Sequence, residues 1–222
     1  MTRPDAGRSI GRRRWMLIAV LAVGAIAVVV AGWQIAAWTA LGAVRIVYDA
    51  RPVVCEGAEV GLQPSGASGE VTGDNGFAWD ETFYSPVLWV EPGMTCAIRF
   101  FVVNDGWSDI DAQAVALPGM QEDHVSLVRP TMVNPNGQTR LADTDDAAVF
   151  AIEGMPVPAG EQQAFTVILE ANTADAGGYT VCSGFMPTPP EVTVSGVGVQ
   201  RTVSSPEDSG IWFHAGPRDE CD

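Results

Sequence analysis

The chain has 222 residues, 47% of them hydrophobic, and a formal net charge of −15. The charge is divided: residues 1–14 carry five Arg against one Asp (+4), whereas residues 45–222 carry seven Arg, no Lys and 26 acids (−19). So acidic a main body excludes nucleic-acid binding, because a polyanion is repelled. It argues against a domain lying flat on anionic lipid and suits a well-solvated surface.

Taken in chain order, the first element is basic and short. Arg3, Arg8, Arg12, Arg13 and Arg14 precede a stretch with no charge between Arg14 and Arg45. About 20 apolar residues cross a bilayer core, and the spacing predicts a transmembrane helix over 15–38. Trp15 and Trp33 are 18 residues apart, about 27 Å along a helix, which matches the hydrocarbon thickness. Trp favours both edges of that layer, so Trp15 reads as the inner membrane-interface residue and Trp33 with Trp38 as the outer pair. The Arg cluster orients the segment with its basic side inside. The expected organisation is a cytoplasmic tail (1–14), a signal-anchor helix (15–38) embedded in lipid and an extracytoplasmic domain (39–222). That places the chain in the plasma membrane as a single-pass protein. A cleaved signal peptide is the competing reading. Its apolar region would be shorter and end at an Ala-x-Ala-like site, and the strict match here, Ala25-Ile26-Ala27, lies inside the apolar run. Arg12-Arg13-Arg14-Trp15-Met16 lacks the Ser or Thr expected before a twin-arginine pair.

Beyond the helix, alternation replaces continuous hydrophobicity. Strand-like runs fall at 44–48, 53–55, 87–90, 95–103, 111–117, 124–128, 147–152, 164–170, 179–183, 192–203 and 211–214. The Gly-rich stretch 57–76 reads as a long loop or a loose hairpin around Gly73-Asp74-Asn75-Gly76. Turn clusters such as Glu91-Pro92-Gly93 and Asn104-Asp105-Gly106 separate the others. Many short strands without a helical period predict an all-β, immunoglobulin-like antiparallel β-sandwich. In 192–203, Ser195-Gly196 shifts the phase between two valine pairs, which predicts a bulge at Gly196.

Four cysteines, Cys55, Cys96, Cys182 and Cys221, lie on the side where disulfides persist. None forms a Cys-x-x-Cys pair, which weakens metal and redox readings. The favoured pairing is Cys55–Cys96 with Cys182–Cys221, each loop of about 40 residues being worth roughly 4 kcal/mol. The rival is an inter-sheet Cys96–Cys182 bridge. The corner residue Tyr179 stands three positions before Cys182 rather than two, which turns the sulfur to the other face.

Two stretches carry a resemblance: Phe100-Phe101-Val102-Val103-Asn104-Asp105-Gly106 running to Leu117-Pro118-Gly119, and Cys182 through Arg201-Thr202-Val203 to Cys221. Both resemble a group of uncharacterised actinobacterial membrane-anchored proteins with an immunoglobulin-like outer domain. The likeness covers about a third of the chain and its motifs are structural. This sequence departs from the group in Trp107, where Pro is frequent, and in the extra pair Cys55 and Cys96. The resemblance implies an envelope location and a sandwich fold, and no activity.

Chemistry-bearing patterns are sparse. Asp105, Asp109 and Asp111 place oxygen ligands in one turn, as calcium favours, but the spacing is not that of an EF-hand loop and Asn-Asp-Gly also builds hairpin turns. Copper would call on His124, His214 and the methionines, which more often fill cores. A Gly-x-Ser-x-Gly elbow is missing. Trp107, in an acidic turn, is the best candidate for an exposed aromatic. The sequence therefore reads as a non-enzymatic, membrane-tethered envelope protein without a cofactor. Its β-sandwich would serve as an interaction or structural module for an envelope partner; an extracytoplasmic cation-binding protein, for calcium or copper, is the alternative.

Overall fold

The computed structural model describes residues 8–49, 53–72, 78–121, 126–134, 140–144, 146–172, 180–204 and 211–220. Helix α1 spans Arg8–Gly42. From Trp15 to Ile35 every side chain is exposed, and the helix is apolar on all sides, unlike the one-sided stripe of a helix lying on a soluble core. Among the described residues one apolar segment, Trp15–Gly42, is long enough to cross a membrane. The helix runs four residues past the expected boundary at 38, and its last turn belongs to the domain.

The remainder is the expected antiparallel β-sandwich. In the first sheet β1 (Val44–Tyr48) and β2 (Val54–Glu56) lie end to end along β5 (Thr95–Asn104). β5 pairs with β10 (Gln162–Ala171), and β10 with β7 (Val128–Asn134). The facing sheet runs β13 (Val199–Ser204), β12 (Glu191–Gly196), β6 (Ile110–Pro118), β9 (Ala147–Val157) and β8 (Arg140–Asp143). A third sheet, of β11 (Gly184–Phe185), β14 (Trp212–Ala215), β4 (Ala78–Val90) and β3 (Glu59–Thr72), closes one end. Its β14–β4 pairing is parallel, the exception to the antiparallel pattern.

Period-two alternation fills the interior. β5 turns Cys96, Ile98, Phe100, Val102 and Asn104 inward, and β10 turns Phe165, Val167 and Leu169 inward. Phe100 and Phe165 face each other across the register and stack at 5.4 Å. Val115, Phe150, Val192 and Val194 meet them from the facing sheet, and Leu88 and Phe213 of the third sheet join the same core. Burying each such side chain contributes about 1.5–3 kcal/mol.

Several expected elements moved. The strand expected at 179–183 is absent from the described part: Cys182 sits in a turn with φ 69°. The strand expected at 124–128 begins only at Val128. The run 192–203 is not one bulged strand but two strands joined by a tight turn at Val197-Gly198, with φ 52° and 71°. Consecutive positive φ values reverse the chain and match the twist of the flanking strands, so Gly196 ends β12. A register irregularity does occur, between Thr193 and Val194 against β6. Within the Gly-rich stretch, β3 pairs antiparallel with β4 in a long ribbon, as the hairpin alternative expects; the turn expected at Gly73-Asp74-Asn75-Gly76 lies outside the described residues.

Tyr48, at the end of β1, has its hydroxyl pKa pushed up to about 12, first by burial and then by the neighbouring Asp49 carboxylate. Its folded value lies above the unfolded value near 10, so Tyr48 supports the fold below about pH 10 and that support is lost as pH rises towards 12. In an ultraviolet tyrosinate titration, Tyr48→Phe is expected to leave the signal unchanged up to about pH 11. Loss of a tyrosinate component titrating near pH 10 would contradict the assignment.

Candidate functional site: the helix–domain junction

Helix and domain meet without a linker. Ala37, Ala40 and Leu41 of α1 are at most 1% exposed, and Leu41 belongs to the main core. Spacings of three and four residues put them on one helical face. Two glycines make room for that face. A methyl group on Gly106 would lie 2.7 Å from the Ala40 carbonyl oxygen and 2.9 Å from Asn104 Oδ1. One on Gly196 would lie 3.3 Å from Leu41 and 3.0 Å from Ile110. The backbone N–H of Asp105 donates to the Ala43 carbonyl at 3.2 Å, extending the β1–β5 pairing up to the end of the helix. Arg45 Nε donates to Asp105 Oδ2 at 2.8 Å, both side chains about half exposed, so this pair adds under about 1 kcal/mol.

Asn104 organises the turn. It is fully buried; its Nδ2 donates to the carbonyls of Ser108 and Val157, both at 2.9 Å, and its Oδ1 accepts from the Gly106 N–H at 3.0 Å. Its backbone N–H donates to Glu161 and its carbonyl accepts from Gly160. One amide thus ties β5, the turn that supports the helix, and the β9–β10 connection. The Asn-Asp-Gly signal marked a turn in the sequence; the inward direction of Asn104 follows from its phase with Phe100 and Val102.

The metal-ligand candidates are not brought together. Asp105 is held by Arg45, Asp109 Oδ1 accepts from the Ala159 N–H at 2.9 Å, and Asp111 is exposed on β6. His124 lies outside the described residues. His214 packs beside Trp89 and Trp212, with ring centroids 6.0 and 6.5 Å away. Among the described residues no three His, Cys, Asp or Glu side chains form a metal-binding group.

Cys55 and Cys96 are directly opposite in the β2–β5 register and form a disulfide with Cα atoms 4.1 Å apart. The bond joins neighbouring strands of one sheet, which removes the inter-sheet Cys96–Cys182 alternative. Cys182 is also disulfide-bonded, and its Sγ lies 3.5 Å from the Glu220 carbonyl oxygen; Cys221 lies outside the described residues. Trp15, Trp33 and Trp38 are all exposed on α1, and Trp38 receives the Arg201 guanidinium 5.6 Å from its ring centre. Trp107 is 61% exposed, as its acidic turn suggested.

Two concavities lie among the described residues. A crevice beneath Pro187 to Pro190 is lined by Ile98, Leu117, Val167 and Phe213 among others, and no titratable side chain lines it. Its free room of about 40 Å³ holds about three waters, too little for a substrate. A second recess, of about 270 Å³, lies at Tyr48, Asp49 and Arg99, with Val53, Val54, Ala97 and Thr166 completing its lining.

No family model matches the chain, and no curated protein matches its sequence. Among solved structures it is similar to an inactive variant of a GH20 exo-β-N-acetylglucosaminidase from Vibrio harveyi, at 9% identity and a TM-score of 0.33, over 73% of this chain and 18% of that one. It is also similar to an ASH/PapD-like domain of human CEP192, at 9% identity and a TM-score of 0.31, over 71% of this chain and 85% of that domain. The chain therefore spans under a fifth of the glucosaminidase's length. Likenesses this loose carry no functional argument. Fold and junction define a class: a β-sandwich domain seated directly on the end of a long apolar helix.

Proposed function

We propose that this is a non-enzymatic envelope protein of the single-pass, signal-anchor kind, with its sandwich outside the cytoplasm serving as an interaction or structural module. The observation that carries the reading is the junction: a wholly exposed apolar span, Trp15 to Ile35, ends where burial against the domain begins, at Ala37. Five Arg before Trp15 favour an inward N-terminus. The disulfide suits an oxidising compartment, and the actinobacterial resemblance supports an envelope setting.

The test is in-membrane photo-crosslinking from exposed positions on the domain, Val54, Leu62 and Met186. A reproducible set of envelope proteins, dependent on the position of the probe, is the expected outcome. Capture of lipid alone from every position would remove the module reading. A stoichiometric metal retained by the purified full chain after dialysis would replace it with a cation-binding function.

A further inference from the structure

The same junction carries a second consequence. We propose that the outer domain does not hang from its anchor but rests in the lipid interface, on a foot formed by the Val197-Gly198 turn and Trp107. The proposal rests on the anchor reading above.

Length supports it first. The exposed span from Trp15 to Ile35 covers about 30 Å at 1.5 Å per residue, the thickness of the hydrocarbon core. The next turn of the helix is already inside the domain, so no flexible segment lifts the sandwich away. Ala40, which supports the Gly106 turn, is about 10 Å along the axis from Trp33, and Trp107 follows Gly106 directly. That height corresponds to the headgroup layer.

The chemistry of the foot is the second support. The β12–β13 turn reaches back to the anchor: a methyl group on Gly198 would lie 3.3 Å from the Trp33 ring. Its first residue is Val197, at φ 52°. A β-branched residue is disfavoured in that conformation, where Asn or Gly is usual. A half-buried apolar side chain is thus kept at the tip at a cost in backbone energy. Trp107 is 61% exposed and follows Gly106, which packs on the same helix at Ala40; Trp is the side chain that favours the membrane interface.

Charge is the third. The domain carries −19, yet at the foot Arg45 meets Asp105 and Arg201 lies over Trp38. Arg45 and Arg201 thus stand against Asp105 and the exposed Asp109 of the same turn, so the foot is close to neutral although the domain is strongly acidic.

The experiment uses the full chain in phosphatidylcholine vesicles containing lipids brominated near either the glycerol end or the methyl end of the acyl chains. Tryptophan emission is compared for the wild type, Trp107→Phe and Val197→Asn. The emission lost in Trp107→Phe reports Trp107 itself. It is expected to be quenched roughly twofold by the glycerol-end bromines and less by the methyl-end bromines. Val197→Asn, whose turn is less strained, is expected to fold at least as stably and to weaken that quenching. An unquenched Trp107 component beside quenched emission from the anchor tryptophans would overturn the foot and leave the anchor standing. Emission unquenched from every tryptophan would overturn the anchor and the foot together.

Discussion

Replacing Asn104 with alanine is expected to destabilise the outer domain by about 4 kcal/mol. The side chain is fully buried and uses both amide hydrogens and its carbonyl oxygen. Truncation strands the buried Val157 carbonyl, which costs about 1–3 kcal/mol, and the half-buried Ser108 carbonyl and Gly106 N–H at a smaller cost each. Loss of packed volume adds to this. Asn104→Asp is no rescue, because it removes both donors and buries a charge. Chemical unfolding of the full chain in detergent, followed by β-sheet circular dichroism, measures the loss. A change below about 1 kcal/mol would mean that the turn holds without its amide.

The second large effect concerns Cys55–Cys96. The bond spans 41 positions, and a loop of that size is worth roughly 4 kcal/mol on the chain-entropy estimate. Cys55→Ala with Cys96→Ala is therefore expected to lower stability by about that amount. β2 should feel the change first, since three residue pairs hold it to β5. Peptide mapping without reduction is expected to give Cys55 linked to Cys96 and Cys182 linked to Cys221. Recovery of all four as free thiols would refute both the bonds and the oxidising location.

Much of the sandwich is written in local pattern. The alternation in 95–103 and 164–170 placed β5 and β10 to within two residues, and the cysteines of β2 and β5 found each other as expected. Three features were not legible, each for a physical reason. The helix continues to Gly42, beyond the stretch expected to lie in lipid, because hydropathy alone does not mark where an apolar helix begins to pack on protein; Ala37, Ala40 and Leu41 suit either surrounding. The turn at Val197-Gly198 was hidden because valine is a poor residue for positive φ, so local propensity argued for an unbroken strand. The parallel pairing of β14 with β4 depends on a contact between segments more than a hundred residues apart, and period-two alternation does not encode partner or direction. Of the junction, the sequence displayed the glycine of the Asn-Asp-Gly turn but not the helix carbonyl it admits.

The central claim is that α1 spans the membrane and holds the sandwich outside. The most direct test is protease access in sealed spheroplasts carrying one tag before residue 1 and another after residue 222. The expected result is removal of the C-terminal tag by protease added outside, protection of the N-terminal tag until lysis, and recovery of both on one uncleaved membrane-bound chain beforehand. A protected C-terminal tag, or a sandwich recovered free of its helix in the soluble fraction, would contradict the account.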